Sequence, residues 1–376
     1  MLEMVQATLS KLPPTVSHVT IVDFCGSKER ANLLVPPGVS HKTVYSKRSG
    51  VERFSGKLMS KALTYFIEFP FLNFFRSIGL RRTIRSLKVD RIVFVNGGMP
   101  GSPEILAAIG AARALKLNSV LWVHSIFAGR SFLHSKVSKA YLRWILSDLE
   151  SIVAPSLAVS ESFPSWLSLS SRTKVAQNFI VGSTEGRNTP KERLFTIACP
   201  AAYFPNKGQE VLLRATAVLI HKGIDLRVEF FGDGDVAELQ RLKALASELS
   251  LSGSVAFHGF SDKQRVYGEA SLVVLPSISQ EAFGLVVLES MRTGIPVLAS
   301  KVGGIPEIFP HEESFALFTP GDAIELSHKI ALLASSPKFQ AQESLRVKNI
   351  YLNSHNPEEA ATKLFEALGL GHASIE

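Results

Sequence analysis

Short runs rich in valine and isoleucine recur along this chain, each separated from the next by a segment whose apolar residues repeat with helical period. The runs are residues 19–22, 92–95, 120–123, 152–154, 195–198, 228–231, 255–257, 272–275 and 296–299. A strand that is apolar at nearly every position must be covered on both faces, and a helix between strands is the connection that parallel neighbours need. The pattern therefore predicts an α/β architecture of parallel sheets sandwiched by helices. A chain of 376 residues is too long for one ordinary core and suits two such domains.

The boundary falls in a polar, turn-rich stretch, VGSTEGRNTPKER at 181–193. The expected division is an N-terminal Rossmann-like domain over 1–182, a linker over 183–193 and a second Rossmann-like domain over 194–352. A last helix within 353–376 is expected to pack back toward the N-terminal domain. Several helix ends are marked. Ser102-Pro103-Glu104 supplies a cap, a proline for the first helical position and an acid for the first turn. Asn206-Lys207-Gly208 opens a helix with Val211, Leu212, Ala215 and Leu219 on its apolar face, and Gly223 closes it. Gly294 followed by Pro296 stops the helix that contains Glu289. At the start, a helix-like segment (1–12) precedes the first strand. A doubly wound domain normally opens on a strand and a glycine-rich turn, so the N-terminal domain is expected to lack its first strand.

Bulk properties exclude several classes. Cys25 and Cys199 stand far apart with no paired spacing, which argues against a zinc site or a disulfide framework. The first residues carry no basic head followed by an apolar run, so no secretory signal is expected. The most apolar stretch, 63–75, is interrupted by Glu68, Pro70 and Asn73 and is too short to span a bilayer. These features predict a cytoplasmic protein. The net charge of +8 is concentrated: residues 28–88 hold 13 Lys/Arg against 3 Asp/Glu, so the rest is slightly acidic. The same segment carries Phe54, Tyr65, Phe66, Phe69, Phe71, Phe74 and Phe75. Two readings stand: an anionic membrane surface held peripherally on the inner face, or core aromatics with solvated charges. A nucleic-acid partner is not expected, because no recognition module accompanies the charge.

The most informative segment is 272–307, LVVLPSISQEAFGLVVLESMRTGIPVLASKVGGIPE. A strand leads to Pro276-Ser277, then Glu281 stands just before a helix expected to begin near Phe283-Gly284, with Glu289 inside it. Amides at a helix start attract anions, and Gly284 is expected to let a phosphate approach the backbone. A carboxylate on either side can hold sugar hydroxyls, since each oxygen accepts hydrogen bonds and charge strengthens them. Sugar, diphosphate and ribose in a row present that pattern.

At these residues the chain resembles the retaining glycosyltransferases of family 4, glycosyl transferases group 1, whose mark is E-x7-E within a longer block. It keeps Glu281, Phe283, Gly284, Leu285, Glu289, Met291, Gly294, Pro296, Val297, Gly303, Gly304 and Glu307, with Ser290 for the usual alanine. The resemblance covers 195–310 and implies the GT-B fold, two parallel-sheet domains facing a cleft where catalysis occurs. It implies that Lys207, in a matching Lys-Gly pair, neutralises the donor diphosphate, that Glu281 orients the donor sugar and that Glu289 holds the ribose. Phe283, Gly284 and Leu285 join the donor site, and Phe260 and Ser261 border the base. On the N-terminal side it implies that His124 approaches the transferred sugar or acceptor, with Asn96, Gly97 and Gly98 at a neighbouring strand end. Ser156 and Asn178 echo positions at the end of the first domain. One departure stands out: relatives usually carry an arginine five or six residues before the lysine, and here Ala202 and Ala201 occupy those places. Losing such a contact corresponds to ~10–100-fold in donor affinity or rate, unless Arg265 or Lys301 substitutes.

Two other patterns carry less. Gly232-Asp233-Gly234-Asp235-Val236-Ala237 spells G-x-G-x-x-A after a strand, but no acid closes the next strand to take a ribose. Asp233-Gly234-Asp235 spells D-x-D, a metal motif of a different transferase fold. The expected activity is metal-independent, retaining transfer of a hexose-type sugar from a UDP-, GDP- or ADP-sugar to a saccharide or lipid-linked acceptor, in envelope polysaccharide or glycolipid synthesis. No cofactor and no metal are expected. The alternatives are a weakened or inactive binding protein on the same frame, or a nucleotide-sugar epimerase or phosphorylase, since fold does not fix function.

Overall fold

The computed structural model describes residues 73–97, 103–127, 136–181, 194–279, 281–310 and 315–371, with residues 8, 11–12, 16, 20–23 and 40–43 nearer the start. The linker expected at 183–193, most of the basic segment before residue 73, and Gly98 lie outside the described residues. The chain divides into two compact units, Met1–Gln177 with Glu358–Glu376, and Asn178–Pro357.

The first unit is built on a four-stranded parallel sheet in the order β3-β4-β5-β6. Its strands are β3 (Arg91–Asn96), β4 (Asn118–Val123), β5 (Ser151–Ala154) and β6 (Thr173–Val175). Two shorter strands, β1 (Thr20–Asp23) and β2 (Ser40–Thr43), pair in parallel as a separate two-stranded sheet. Strand β2 reads SHKT and β6 reads TKV, so neither carries the apolar run by which the others were expected. Helix α1 (Asn73–Ser86) packs on α2 (Pro103–Ala114), whose alanines 107, 108, 111 and 112 are fully buried. At Gly110 an added Cβ would stand 3.4 Å from the Ser77 Cβ and 3.3 Å from Ile145, so the small residue sets how closely α1 and α3 (Lys136–Leu146) each approach α2. After β5 comes the short α4 (Leu157–Glu161), whose cap is Ser156: its Oγ accepts from the Val159 amide at 3.1 Å.

The second unit carries a six-stranded, all-parallel sheet in the order β12-β11-β10-β7-β8-β9. The strands are β7 (Phe195–Pro200), β8 (Leu226–Phe231), β9 (Val255–His258), β10 (Leu272–Leu275), β11 (Val297–Ser300) and β12 (Leu317–Phe318). The intervening helices are α5 (Gln209–His221), α6 (Val236–Glu248), α7 (Lys263–Tyr267), α8 (Leu285–Thr293) and α9 (Ala323–Ser335), followed by α10 (Pro337–Ser354). Strand residues alternate between two cores. Ala198, Val273, Leu275, Val297 and Ala299 face the cluster that includes α8, and Ile197, Cys199, Leu272, Val274 and Leu298 face the cluster under α5, α6 and α9. Burial also pushes the Cys199 thiol well above its ordinary range, as a structural cysteine requires. The last helix, α11 (Pro357–Leu368), groups with the first unit apart from its opening residue. Its C-terminal carbonyls accept from Ser151 Oγ (at Ala367, 3.2 Å) and from Arg91 (at Leu368, 3.4 Å). Among the described residues no helix is long and apolar enough to cross a membrane.

Candidate functional site

Within the second sheet the chain order reverses between β7 and β10, adjacent strands whose following helices run in opposite directions across the sheet. Open α/β sheets bind ligands outside the carboxyl ends of the strands at such a switch point, because the two loops leaving it part and expose a crevice. The segments that leave β7 and β10 here carry Lys207 and Glu281.

Close backbone packing brings the two loops together. A 3-10 turn at Pro205–Lys207 precedes α5, and Gly208 stands between them at φ +69. A Cβ on Gly208 would lie 1.9 Å from the Pro276 carbonyl oxygen, so only glycine lets the turn press against the β10 loop. The Ile278 amide then donates to the Asn206 carbonyl at 2.9 Å. On the far side, the Gly304 amide donates to the Glu281 carbonyl at 3.0 Å, and a Cβ on Gly303 would fall 1.9 Å from that same oxygen. Glu281 is thus gripped through its backbone by the Gly-Gly loop after β11.

The side chains then meet. Lys207 Nζ lies 2.7 Å from Glu281 Oε2, and the fully buried Ser277 donates to the same oxygen at 3.1 Å. Both partners keep part of their side chains open, 24% for Lys207 and 15% for Glu281, so the pair can reach a ligand. An ammonium has three donors and a carboxylate about four acceptor sites, and this pair uses one and two of them.

Glu289, eight residues on, projects from α8 into a second arrangement. Its Oε2 accepts from the Tyr267 hydroxyl at 2.5 Å, and its Oε1 lies 2.8 Å from Lys263 Nζ. The residue is buried to 7% exposure, whereas the Lys263 side chain is 45% exposed. Neither α7 residue belongs to the E-x7-E block. A lysine at the first position of a five-residue helix gives no recognisable signal, and the tyrosine reads as core.

The other expected site residues divide. Helix α8 starts at Leu285, one or two residues later than expected, with Gly284 as its cap at φ +103. The space a Gly284 Cβ would take faces Ile305 at 3.2 Å and Ile308 at 3.5 Å. Backbone conformation and packing therefore both favour glycine at this position. Phe283 is 1% exposed inside the apolar cluster, so its side chain is core and only its backbone can face a ligand; Leu285 packs against the same cluster. Phe260 is 81% exposed, its amide donating to Asp233 Oδ1 at 3.3 Å, and Ser261 Oγ donates to the Gly259 carbonyl. Asp235 is the α6 cap, accepting from the Ala237 amide at 2.8 Å, so both acids of the D-x-D pattern hold backbone. At the alanines standing for the arginine, buried Gln209 donates through Nε2 to the carbonyls of Ala201 (3.3 Å) and Ala202 (2.9 Å). Arg265 contacts His258 Nδ1 at 3.2 Å, and Lys301 is exposed.

In the first unit, Asn96 ends β3 and is buried, Gly97 follows it exposed, and the His124 amide donates to the Asn96 carbonyl at 3.0 Å. The His124 ring packs on Trp122, with centroids 4.5 Å apart. Burial pushes its pKa down to about 3, so the imidazole is neutral, and its Nε2 has no hydrogen-bond partner among the described residues. Asn178 is buried, at the start of the second unit.

Comparison with known proteins bears on this geometry. Residues 183–349 match the family model for glycosyl transferases group 1. A D-inositol 3-phosphate glycosyltransferase of Saccharomonospora viridis is 34% identical over 148 residues, which is 36% of this chain and 34% of that protein. The chain thus spans about a third of that relative's length. An uncharacterised glycosyltransferase of Haemophilus influenzae is 26% identical over 70% of this chain and 72% of its own. Among solved structures, Anabaena Alr3699/HepE in complex with UDP superposes with a TM-score of 0.69 at 18% identity, covering 98% of this chain and 96% of that one. Through residues 183–349 the chain is similar to the glycosyl transferases group 1, and it shares the GT-B fold of the Anabaena structure.

Proposed function

We propose that the second unit binds a nucleotide diphosphate sugar and that the protein transfers its hexose, with retention at the anomeric carbon, to a saccharide or lipid-linked acceptor. The observation that carries this reading is the Lys207–Glu281 pair at the switch point of a parallel sheet, with Glu289 on the helix that follows. In this reading the diphosphate lies along Lys207 and the first amides of α8, where free N–H groups and the helix dipole favour negative charge. Glu281, fixed by Ser277 and by the Gly303-Gly304 loop, takes hydroxyls of the donor sugar. Glu289 takes the ribose hydroxyls with its remaining acceptor sites.

Transfer then needs little covalent chemistry from the protein. The bond from the anomeric carbon to the diphosphate oxygen breaks, and the electron pair stays on the diphosphate, where Lys207 balances it. The acceptor oxygen bonds to the same face of that carbon, and its proton passes to a phosphate oxygen of the leaving group. No metal is required for these steps. Neutral His124, whose Nε2 has no hydrogen-bond partner among the described residues, suits a hydrogen bond to a sugar hydroxyl rather than a role as a cation.

Support for a uracil nucleotide first among the donors comes from the Anabaena structural relative, which is also solved with UDP-glucose. Envelope polysaccharide or glycolipid synthesis in the cytoplasm is the setting that such chemistry serves. The test is a thermal-shift screen of the whole chain across UDP-, GDP- and ADP-sugars, since a ligand selective for the folded state raises its melting temperature. One nucleotide class is expected to stabilise, its sugar to appear on an acceptor with unchanged anomeric configuration, and chelation to leave the rate unaltered. If no nucleotide-sugar stabilises the protein and none is consumed, the reading fails. A second reading, a binding protein on a weakened transferase frame, rests on Ala201 and Ala202 where relatives carry arginine. Hydrolysis or transfer from any nucleotide-sugar overturns it.

A further inference from the structure

Helix α1 presents two opposed faces. Ser77 and Ile84 are buried, with Ser77 against Gly110 of α2, and this face is the packed one. On the other side, Phe74, Phe75 and Ile78 are 43%, 64% and 44% exposed, and Arg82 and Arg85 stand exposed on the same side one and two turns on. The helix holds four arginines and no acid. An open hollow of about 440 Å³ lies along its C-terminal half, lined by Ile78, Arg81, Arg82, Arg85 and Ser86. Among the described residues none of Arg81, Arg82 and Arg85 has an ion-pair partner, and the buried Nε of Arg81 has no hydrogen-bond acceptor.

We propose that this face of α1 docks on an anionic phospholipid surface, with Phe74, Phe75 and Ile78 entering the interface and a headgroup phosphate seated among Arg81, Arg82 and Arg85. Charge complementarity argues for an anion, since three neighbouring guanidiniums with no carboxylate between them repel one another unless a phosphate joins them. The apolar half of the same face decides which anion. A dissolved acidic peptide satisfies the arginines and leaves two phenylalanine rings in water, whereas a lipid interface takes both kinds of side chain. The docking goes beyond the donor chemistry of the second unit and does not depend on it.

The test is sedimentation of the whole chain with vesicles of phosphatidylcholine alone and of phosphatidylcholine mixed with phosphatidylglycerol, at low and high salt and with no donor present. Binding is expected to the mixed vesicles only and to weaken with salt. Each arginine at an anionic surface contributes about fivefold in partitioning, so Arg82→Glu with Arg85→Glu is expected to lower binding by at least about 25-fold. Phe75→Ser with Ile78→Ser is expected to lower it at constant charge. Arg82→Lys with Arg85→Lys retains binding and shows that the fold tolerates change there. Lys222→Glu with Lys338→Glu, an equal charge reversal at exposed positions of the second unit, is expected to leave binding unaltered. The proposal is overturned by no binding to the mixed vesicles, by equal loss in the two charge reversals, or by a polyglutamate peptide that binds the helix while vesicles do not. Because sedimentation is read without donor or acceptor, its outcome is independent of whether the chain transfers sugar.

Discussion

Replacing Glu289 with glutamine separates a binding role from an internal one. The side chain keeps its length and loses its charge, which changes two energies. Inside the protein, the 2.5 Å contact from Tyr267 becomes a bond to a neutral acceptor. Bonds to charged groups contribute ~1.5–3 kcal/mol against ~0.5–1.5 for neutral pairs, so that contact weakens by about 1 kcal/mol. Lys263, with 45% of its side chain in water, adds little, because screened pairs are weak. The melting temperature of the second unit is therefore expected to fall by only about 2–4 °C. For the donor, two ribose hydroxyls each lose a charged acceptor, about 2 kcal/mol together, so Kd is expected to rise ~30-fold. Calorimetric titration with the nucleotide-sugar that the thermal screen selects, alongside thermal unfolding of both proteins, measures the two effects separately. A lower melting temperature with an unaltered donor Kd would refute the reasoning, and Glu289 would then serve only as a partner for Tyr267 and Lys263.

Further outcomes follow from the same geometry. Lys207→Ala is expected to lower kcat/KM for the donor by ~10–100-fold, the value of one charge-assisted phosphate contact, and steady-state kinetics with unchanged kcat/KM would remove the lysine from the diphosphate. Gly303→Ala puts a Cβ 1.9 Å from the Glu281 carbonyl at φ +55, so it is expected to cost more than ~2 kcal/mol and to weaken donor binding. Gly223→Ala, at φ +78 with nothing near, is expected to cost only ~1 kcal/mol in the same denaturant titration; equal effects would show that the Glu281 clamp is not tight. His124 gives a pH signature. Its folded pKa is about 3 while the unfolded chain takes up the proton near 6.5. The stability that depends on a neutral ring is intact above pH 6.5 and is lost progressively as pH falls toward 3, because unfolding then absorbs a proton. His124→Gln is expected to flatten the stability curve across that window, and parallel curves for the two proteins would show the ring to be solvated.

Much of the second unit could be read from residue order because its central strands β10 and β11 are buried on both faces. The runs at 272–275 and 296–299 point to strands covered on both faces, and the helix stop at Gly294 lies at φ +72, the backbone that only glycine adopts cheaply. The strands that escaped notice are those whose partners, not composition, make them strands: β2 reads SHKT, β6 reads TKV, and β12 has two residues. Site residues follow the same division. The glutamates stood out by their eight-residue spacing in a strand–helix–strand context and Lys207 by its Lys-Gly pair, but the contacts that join them to their partners did not. Ser277 lies four residues from Glu281, Lys207 lies 74 away, and Lys263 and Tyr267 sit on a five-residue helix. Burial of the Phe283 side chain was not legible, because a motif position carries no sign of whether its side chain faces ligand or core.

Local chemistry, then, is written in the order of residues: which stretches must be covered on both faces, where a helix can start, where glycine alone fits, and which acids flank an anion-attracting turn. Which loops share a crevice is a different kind of fact. It depends on the order in which strands add to the sheet, 12-11-10-7-8-9, and on two glycines close enough to neighbouring carbonyls to exclude a Cβ. Those contacts join segments tens of residues apart, and neither partner carries a mark of the other. For that reason Lys207 and Glu281 became a pair, and Glu289 acquired Tyr267 and Lys263, only when the chain was folded.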